Sequence, residues 1–172
     1  MRLLLAFLML AAGEAYARTW DFTVTLDGEP VGRHRFVLEQ GKLTSNAEFE
    51  VRLLGLVVYR YRHEAVEQWR GDCLRQITST TEDGGKRFEV DRKLEGCAMS
   101  FAYWNPAMLK RSELLNAQTG QFEAVSITAL GEGRYRITGT KNPIELHYSP
   151  SGEWTGLDST VASGRRLSYR LR

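Results

Sequence analysis

The sequence has few cysteines and few histidines, and these shortages exclude several kinds of chemistry. Two cysteines and three histidines occur in 172 residues, and no C-x-x-C, H-x-x-H or H-E-x-x-H spacing joins them. A G-x-S-x-G elbow, which would present a nucleophilic serine, is also absent. We therefore expect no metal site, no cofactor and no serine nucleophile of this kind.

The sequence also has no large excess of either charge and only one apolar run of about ten residues. The 23 basic and 21 acidic side chains leave a net charge of +2, and the two signs are interleaved, unlike the concentrated basic surface of a nucleic-acid-binding protein. The apolar run at residues 3–12 is about half of the roughly 20 residues that a transmembrane helix needs. We expect no nucleic-acid partner and no transmembrane segment in the mature chain.

The first residues have the order of a secretory signal peptide. Arg2 supplies the positive start, residues 3–12 supply the apolar stretch, and Ala15-Tyr16-Ala17 supplies the small-x-small cleavage site. We predict cleavage after Ala17, export to the periplasm, and a mature chain that forms one domain, residues 18–172. Because the signal segment has no cysteine to carry a lipid, that domain is expected to be untethered.

The two cysteines are predicted to form a structural disulfide. An even number of cysteines in an oxidising compartment favours pairing, and a bond between Cys73 and Cys97 would stabilise the fold by about 3–4 kcal/mol. A metal site or a redox pair is the alternative, but the spacing and the neighbouring residues do not support it.

From Thr19 onward the apolar residues recur with a period of two, which is typical of strands. Asp27-Gly28 marks the first tight hairpin turn. The segment 56–69 exceeds the usual strand length, so a bulge is expected within it. The predicted strands cover residues 20–26, 31–39, 43–51, 56–69, 73–80, 86–92, 97–101, 122–130, 134–140, 144–148, 153–160 and 166–171.

One short helix is predicted over residues 106–111, because Asn105 can cap it and Pro106 suits its first position. Tight turns join antiparallel neighbours. A long meander is expected to curl or close, because a flat sheet would leave two edge strands with exposed, unpaired backbone groups. The predicted fold class is all-β, an antiparallel meander of about 10–12 strands curled into a barrel or half-barrel with one short helix.

The most informative segment lies within the long strand at residues 56–69. In an unbroken strand Tyr59, Tyr61, His63, Glu67 and Trp69 share one face. That mixture of aromatic and polar groups suits the wall of a ligand cavity. A packed core face is the alternative, and so is an acid–base pair of His63 and Glu67.

Aromatic residues are concentrated a second time around Trp104, just before the predicted helix. Trp104 is expected either to shape the mouth of the barrel or to plug one end of it. The candidate ligand-binding residues are therefore Tyr59, Tyr61, His63, Glu67, Trp69 and Trp104. Of the other histidines, His34 is expected to be a satisfied core residue and His147 to be exposed.

A series of motifs extends through most of the mature chain. These motifs are Trp20-Asp21-Phe22, Leu26-Asp27-Gly28, Tyr59-Arg60-Tyr61 with His63, Glu67 and Trp69, Phe101-Ala102-Tyr103-Trp104-Asn105-Pro106, Leu114-Leu115-Asn116-Ala117, and Leu146, Tyr148 and Trp154. In these motifs the chain resembles a family of exported bacterial proteins that is catalogued only as a domain of unknown function. The resemblance implies no activity, so the function is inferred from the residues.

Three functions fit these observations. The preferred hypothesis is a non-enzymatic protein that binds a lipid, an acyl group or another amphipathic ligand inside a curved sheet. The first alternative is an envelope scaffold that works through protein contacts. The second is a hydrolase or isomerase that uses His63 and Glu67, for which the sequence offers no nucleophile.

Overall fold

A computed structural model describes residues 17–161 and 163–172. Residues 1–16 of the predicted signal peptide lie outside the described residues. The described residues form thirteen strands and one 3₁₀ helix, Pro106–Lys110. The strands are β1 Arg18–Leu26, β2 Glu29–Glu39, β3 Lys42–Leu53, β4 Leu56–Arg70, β5 Cys73–Asp83, β6 Lys86–Ala98, β7 Glu113–Leu115, β8 Phe122–Ala124, β9 Ser126–Gly131, β10 Arg134–Thr138, β11 Ile144–Tyr148, β12 Trp154–Thr160 and β13 Arg166–Leu171.

Eleven of the described strands form one antiparallel sheet in the order β6-β5-β4-β3-β2-β1-β13-β12-β11-β10-β9, and β7 pairs with β8 separately. The predicted all-β antiparallel class with one short helix is confirmed. The sheet does not close, because β6 and β9 are its two free edges. Of the two predicted forms, the half-barrel is therefore confirmed and the closed barrel is wrong.

The sheet curls strongly around its concave face. Phe49 on β3 and Tyr169 on β13 are three strands apart, which on a flat sheet would separate them by about 14 Å. Their ring centroids are 6.1 Å apart. Trp154 on β12 likewise reaches Phe36 on β2, with ring centroids at 5.3 Å. Aromatic contacts across the hollow therefore hold the curvature.

Because neighbouring strands are antiparallel, successive turns lie alternately at the two ends of the sheet. Turns β1–β2, β3–β4, β5–β6 and β12–β13 lie at one end, which we call the Gly55 end. Turns β2–β3 and β4–β5 lie at the opposite, Gly41 end. At the first turn Asp27 and Gly28 have φ of 52° and 89°, the left-handed pair that a tight hairpin turn requires.

A segment between β6 and β9 crosses the hollow of the sheet. This inner segment, residues 99–125, buries Met99, Met108, Leu114 and Leu115 in the core. Asn105 Nδ2 donates to Asp72 at 3.2 Å on one wing of the sheet, and Tyr148 on the other wing donates its hydroxyl to the carbonyl oxygen of Tyr103 at 2.7 Å. The inner segment thus joins the two wings.

The predicted and observed elements differ most around the inner segment. β6 runs without a break to Ala98, so the predicted strand 97–101 is absent. Met99, which that strand would have contained, instead lies in the core beyond the end of β6. The predicted strand 122–130 is divided at Val125, which is buried and whose amide donates to Ser112. The three-residue strand β7 was not predicted.

The predicted disulfide between Cys73 and Cys97 is confirmed. It joins the first residue of β5 to β6 close to the end of that strand. Register between the two strands shifts between Leu74 and Gln76, so the disulfide fixes their pairing where the hydrogen-bonded ladder is irregular.

Candidate functional site

Two adjoining cavities occupy the space between the concave face of the sheet and the inner segment. The inner cavity has a volume of about 360 Å³, and the outer cavity has a volume of about 570 Å³. Both are lined by Tyr61, Lys141, Asn142, Leu167 and Tyr169, so the two cavities are neighbours that share these side chains. The outer cavity reaches the Gly55 end, where Leu26 and Arg165 line it.

β4 supplies one wall of this space. Tyr61, His63, Ala65 and Glu67 line the inner cavity, and all four point to the same side because side chains alternate along a strand. The expected irregularities fall outside this stretch, since register shifts occur opposite Val51/Arg52 and at Gln68/Trp69. The predicted shared face is therefore continuous from Tyr61 to Glu67.

The remaining candidate residues lie at the ends of the same wall. Tyr59 lines the outer cavity, and its hydroxyl donates to Asp83 at 2.6 Å. Trp69 is buried behind Glu67, and its ring meets Trp104 of the inner segment edge to face, with centroids 5.2 Å apart. Trp104 thus lies at the Gly41 end, where it also lines the inner cavity. This position is the one expected of the predicted plug.

Two neutral histidines face the inner cavity. His63 Nδ1 lies 2.7 Å from the Thr81 hydroxyl, and burial lowers the pKa of His63 to about 4. His34 Nε2 lies 2.7 Å from the Ser45 hydroxyl, and burial together with His63 lowers the pKa of His34 well below its usual value. Both rings are uncharged near neutral pH and can exchange hydrogen bonds with uncharged polar groups.

Glu67 is a carboxyl group held almost out of contact with water. Its relative exposure is 5%, and Trp69 Nε1 donates to Glu67 Oε2 at 2.9 Å. Burial raises the pKa of Glu67 to about 7 because removal from water penalises the charged form. Near neutral pH this group can act as either a donor or an acceptor of a hydrogen bond.

The structure does not bring His63 and Glu67 together as an acid–base pair. Four residues of extended strand separate their Cα atoms by about 13 Å, and each side chain bonds a different partner, Thr81 and Trp69 respectively. The alternative of an acid–base pair is therefore wrong. A hydrolase or isomerase mechanism based on it has no geometric support.

Sequence reasoning missed the opposite wall of the space. Leu167 and Tyr169 on β13 line both cavities. The alternation of apolar residues with arginines in β13 was a signal that one face of this strand is buried. The sequence carried no signal that the face lies opposite β4.

The histidine on the convex side is also more enclosed than expected. His147 was predicted to be exposed, but its Nε2 lies 2.9 Å from Asp158 Oδ2 and its side chain is 28% exposed. Asp158 also accepts hydrogen bonds from Ser168 and Arg170. This group ties β11, β12 and β13 together on the face away from the cavities.

In residues 17–161 and 163–172 no group of three or more histidine, cysteine, aspartate or glutamate side chains is placed to hold a metal ion. The same residues contain no helix that is both long enough and apolar enough to span a bilayer.

The comparisons with known proteins identify the family of the chain. No curated protein matches the chain. One family model matches residues 22–172, which include every candidate ligand-binding residue and both cysteines. The chain therefore belongs to the family described as "Domain of unknown function (DUF6134)".

Proposed function

We propose that this protein is exported to the periplasm, where it binds a lipid or another amphipathic ligand between its curved sheet and the inner segment. The observation that carries the proposal is the pair of adjoining cavities, of which the inner one follows the Tyr61 to Glu67 face of β4. Ligand sites in proteins are hollows of about 300–1,000 Å³ with mainly apolar walls and a few oriented polar groups. Both cavities are within that range.

The distribution of polar groups favours one orientation of the ligand. The inner cavity contains His34, His63 and Glu67, whereas apolar side chains such as Val31 and Phe49 dominate the outer cavity. Burying an ionised head group beside Glu67 would cost free energy through desolvation. The ligand class that fits is therefore a lipid with an uncharged hydroxyl or carbonyl head in the inner cavity and its tail toward the Gly55 end.

The scaffold alternative stays a prediction with less support. It requires a filled interior, because its function would depend on the outer surface alone. The unfilled space beside Tyr61 counts against it.

The test is mass spectrometry of organic extracts from protein purified out of its native periplasm. The expected result is a copurifying lipid that is reduced or lost in Ala65→Trp, because the indole would fill the inner cavity at a residue that lines it. Gln68→Trp is the matched control, since Gln68 is exposed on the other face of the same strand. Leu167→Trp is a second blocking variant in case Ala65→Trp does not fold.

A negative result can be recognised equally clearly. Wild-type protein that carries no lipid, and that also fails to bind a fluorescent long-chain alcohol after extraction, would overturn the proposal. Equal lipid content in wild type and in folded blocking variants would place the lipid outside the cavities.

A further inference from the structure

A two-stranded finger projects from the Gly55 end of the sheet. β3 pairs with β2 only as far as Phe49, and β4 pairs with β5 only from Tyr61 onward. Residues 50–60 therefore have no strand beside them on either edge within the described chain. At about 3.3 Å per residue, this finger extends roughly 15 Å beyond the laterally paired sheet.

The tip of the finger is unusually apolar for a free surface. The relative exposures of Leu53, Leu54, Leu56 and Val58 are 63%, 95%, 72% and 59%. Exposed clusters of this kind mark interaction sites or membrane contacts. The tip turn places Leu54 at a φ of 52°, a left-handed conformation that a bulky side chain adopts at an energetic cost. A glycine or asparagine at position 54 would relieve that strain. The turn is therefore less stable than it could be, and it exposes a leucine side chain at the tip.

The base of the finger has a different composition. Arg52 and Arg60 both pair with Glu50, each at 2.8 Å. Two cations therefore share one carboxylate, and residues 50–60 keep an excess of one positive charge. Tyr59 lies at the same level, 39% exposed. Aliphatic side chains at the tip with tyrosine and arginine behind them reproduce the order of groups across a membrane interface.

The finger also adjoins the mouth of the ligand space. Val51 on one of its strands and Tyr59 on the other line the outer cavity. An insertion that buried the tip and stopped at the charged base would therefore hold the open end of the outer cavity at the lipid head groups.

We propose that the finger, residues 50–60, docks the protein on an anionic membrane surface by inserting Leu53, Leu54 and Leu56 among the lipids. Docking itself needs only the finger, whereas transfer of a lipid between the membrane and the cavities rests on the function proposed above. The positive base selects an anionic bilayer. A second copy of the chain is a poorer occupant, because a stable dimer buries about 800 Å² per partner and the tip offers only a few side chains.

The test is flotation of the exported protein with vesicles of phosphatidylethanolamine and phosphatidylglycerol. Wild type is expected to float with these vesicles, less so with phosphatidylcholine alone, and less at high salt because screening weakens attraction to the anionic surface. The triple variant Leu53→Ser, Leu54→Ser, Leu56→Ser should bind at least about tenfold more weakly, since affinity scales with buried apolar area. The matched control is Phe122→Ser with Leu171→Ser, two exposed apolar residues outside the finger.

A single substitution gives a positive signal from the tip. Leu54→Trp should show a blue shift of its fluorescence on vesicle addition and quenching by lipids brominated on their acyl chains. Absence of both changes while the protein floats would overturn insertion of the tip.

Other results of the vesicle-binding test also support or overturn the proposal. Failure of wild type to bind either kind of vesicle would overturn the proposal, as would equal binding by the triple variant. Self-association that requires the leucines, without vesicle binding, would assign the tip to a second copy. Vesicle binding by a protein with no lipid in its extracts would leave the docking role standing and remove the proposed ligand function. Lipid in the extracts of a protein that binds no vesicle would support the proposed ligand function and overturn the docking role.

Discussion

At the scale of single residues, Glu67 is the side chain whose environment conflicts most with its charge. Burial raises its pKa to about 7, above the value of about 4.3 in an unfolded chain. A raised folded-state pKa means that the folded protein retains the proton between these two values. The contribution of Glu67 to stability is therefore fully present below about pH 4 and is lost as the pH rises through about 7.

The variant Glu67→Gln removes this dependence and keeps an acceptor for the Trp69 indole. At about pH 8 it should be more stable than wild type by up to about 3 kcal/mol, because no buried charge remains. Near pH 4.5 the two proteins should have similar free energies of unfolding. Urea titrations at both pH values measure the difference, and wild-type stability equal to or above that of the variant at pH 8 would contradict the raised pKa.

Sequence reasoning identified the polar residues of β4 but not their partners. Alternation placed His63 and Glu67 on one face, and this was sufficient to nominate them. Their bonds to Thr81 and Trp69 depend on the register of β4 with β5 and on the bulge next to Trp69. The same limit applies to His147, which pairs with Gly156 and reaches its partner Asp158 diagonally, two residues further along β12. A one-residue difference in register would change the partners of both histidines.

At the scale of elements, the disulfide acts where β5 and β6 are least regularly paired. Cys73 and Cys97 are 24 residues apart, and removal of this cross-link should lower the free energy of unfolding by about 3–4 kcal/mol. The double variant Cys73→Ala, Cys97→Ala tests this by urea denaturation. Reduction of the wild type should give a matching loss, and the double variant should not respond to reductant. A wild type whose stability is unchanged on reduction would contradict a stabilising role.

Turn chemistry and alternation located most strands, because each depends on neighbours in the chain. Asp27-Gly28 and the period of two in β1 are signals of this local kind. The inner segment was not foreseen as a unit, because its course depends on where Met99, Met108 and Leu114 find space in the core. Its anchors, Asn105 to Asp72 and Tyr148 to Tyr103, are long-range contacts without a local signature.

At the scale of the whole molecule, the sequence indicated a curled sheet but not how far it closes. Curvature of the sheet was predicted because a flat sheet would expose the unpaired backbone groups of its edge strands. Whether β6 would meet β9 depends on the volume between them, and the inner segment occupies that volume with buried side chains such as Leu115. The segment that joins the wings is thus positioned to keep them apart, and this leaves the hollow in which the cavities lie.

The two edges of the sheet should differ in stability. β9 has no fully buried side chain and β10 has only Ile137, whereas β1 buries Trp20, Phe22 and Val24. The β6 edge is held by the disulfide. Because local opening costs less where little apolar surface is buried, hydrogen exchange should be faster in β9 and β10 than in β6, and slowest in β1.

Hydrogen exchange followed by mass spectrometry measures this order in the native protein. Removal of the disulfide provides the internal control, since it should speed exchange in β6 and leave β9 nearly unchanged. Uniform exchange across the sheet, in one cooperative step, would contradict the expected order. The faster edge would also mark the wing at which the half-barrel can open without losing the β4 wall, where Tyr61, His63 and Glu67 line the inner cavity.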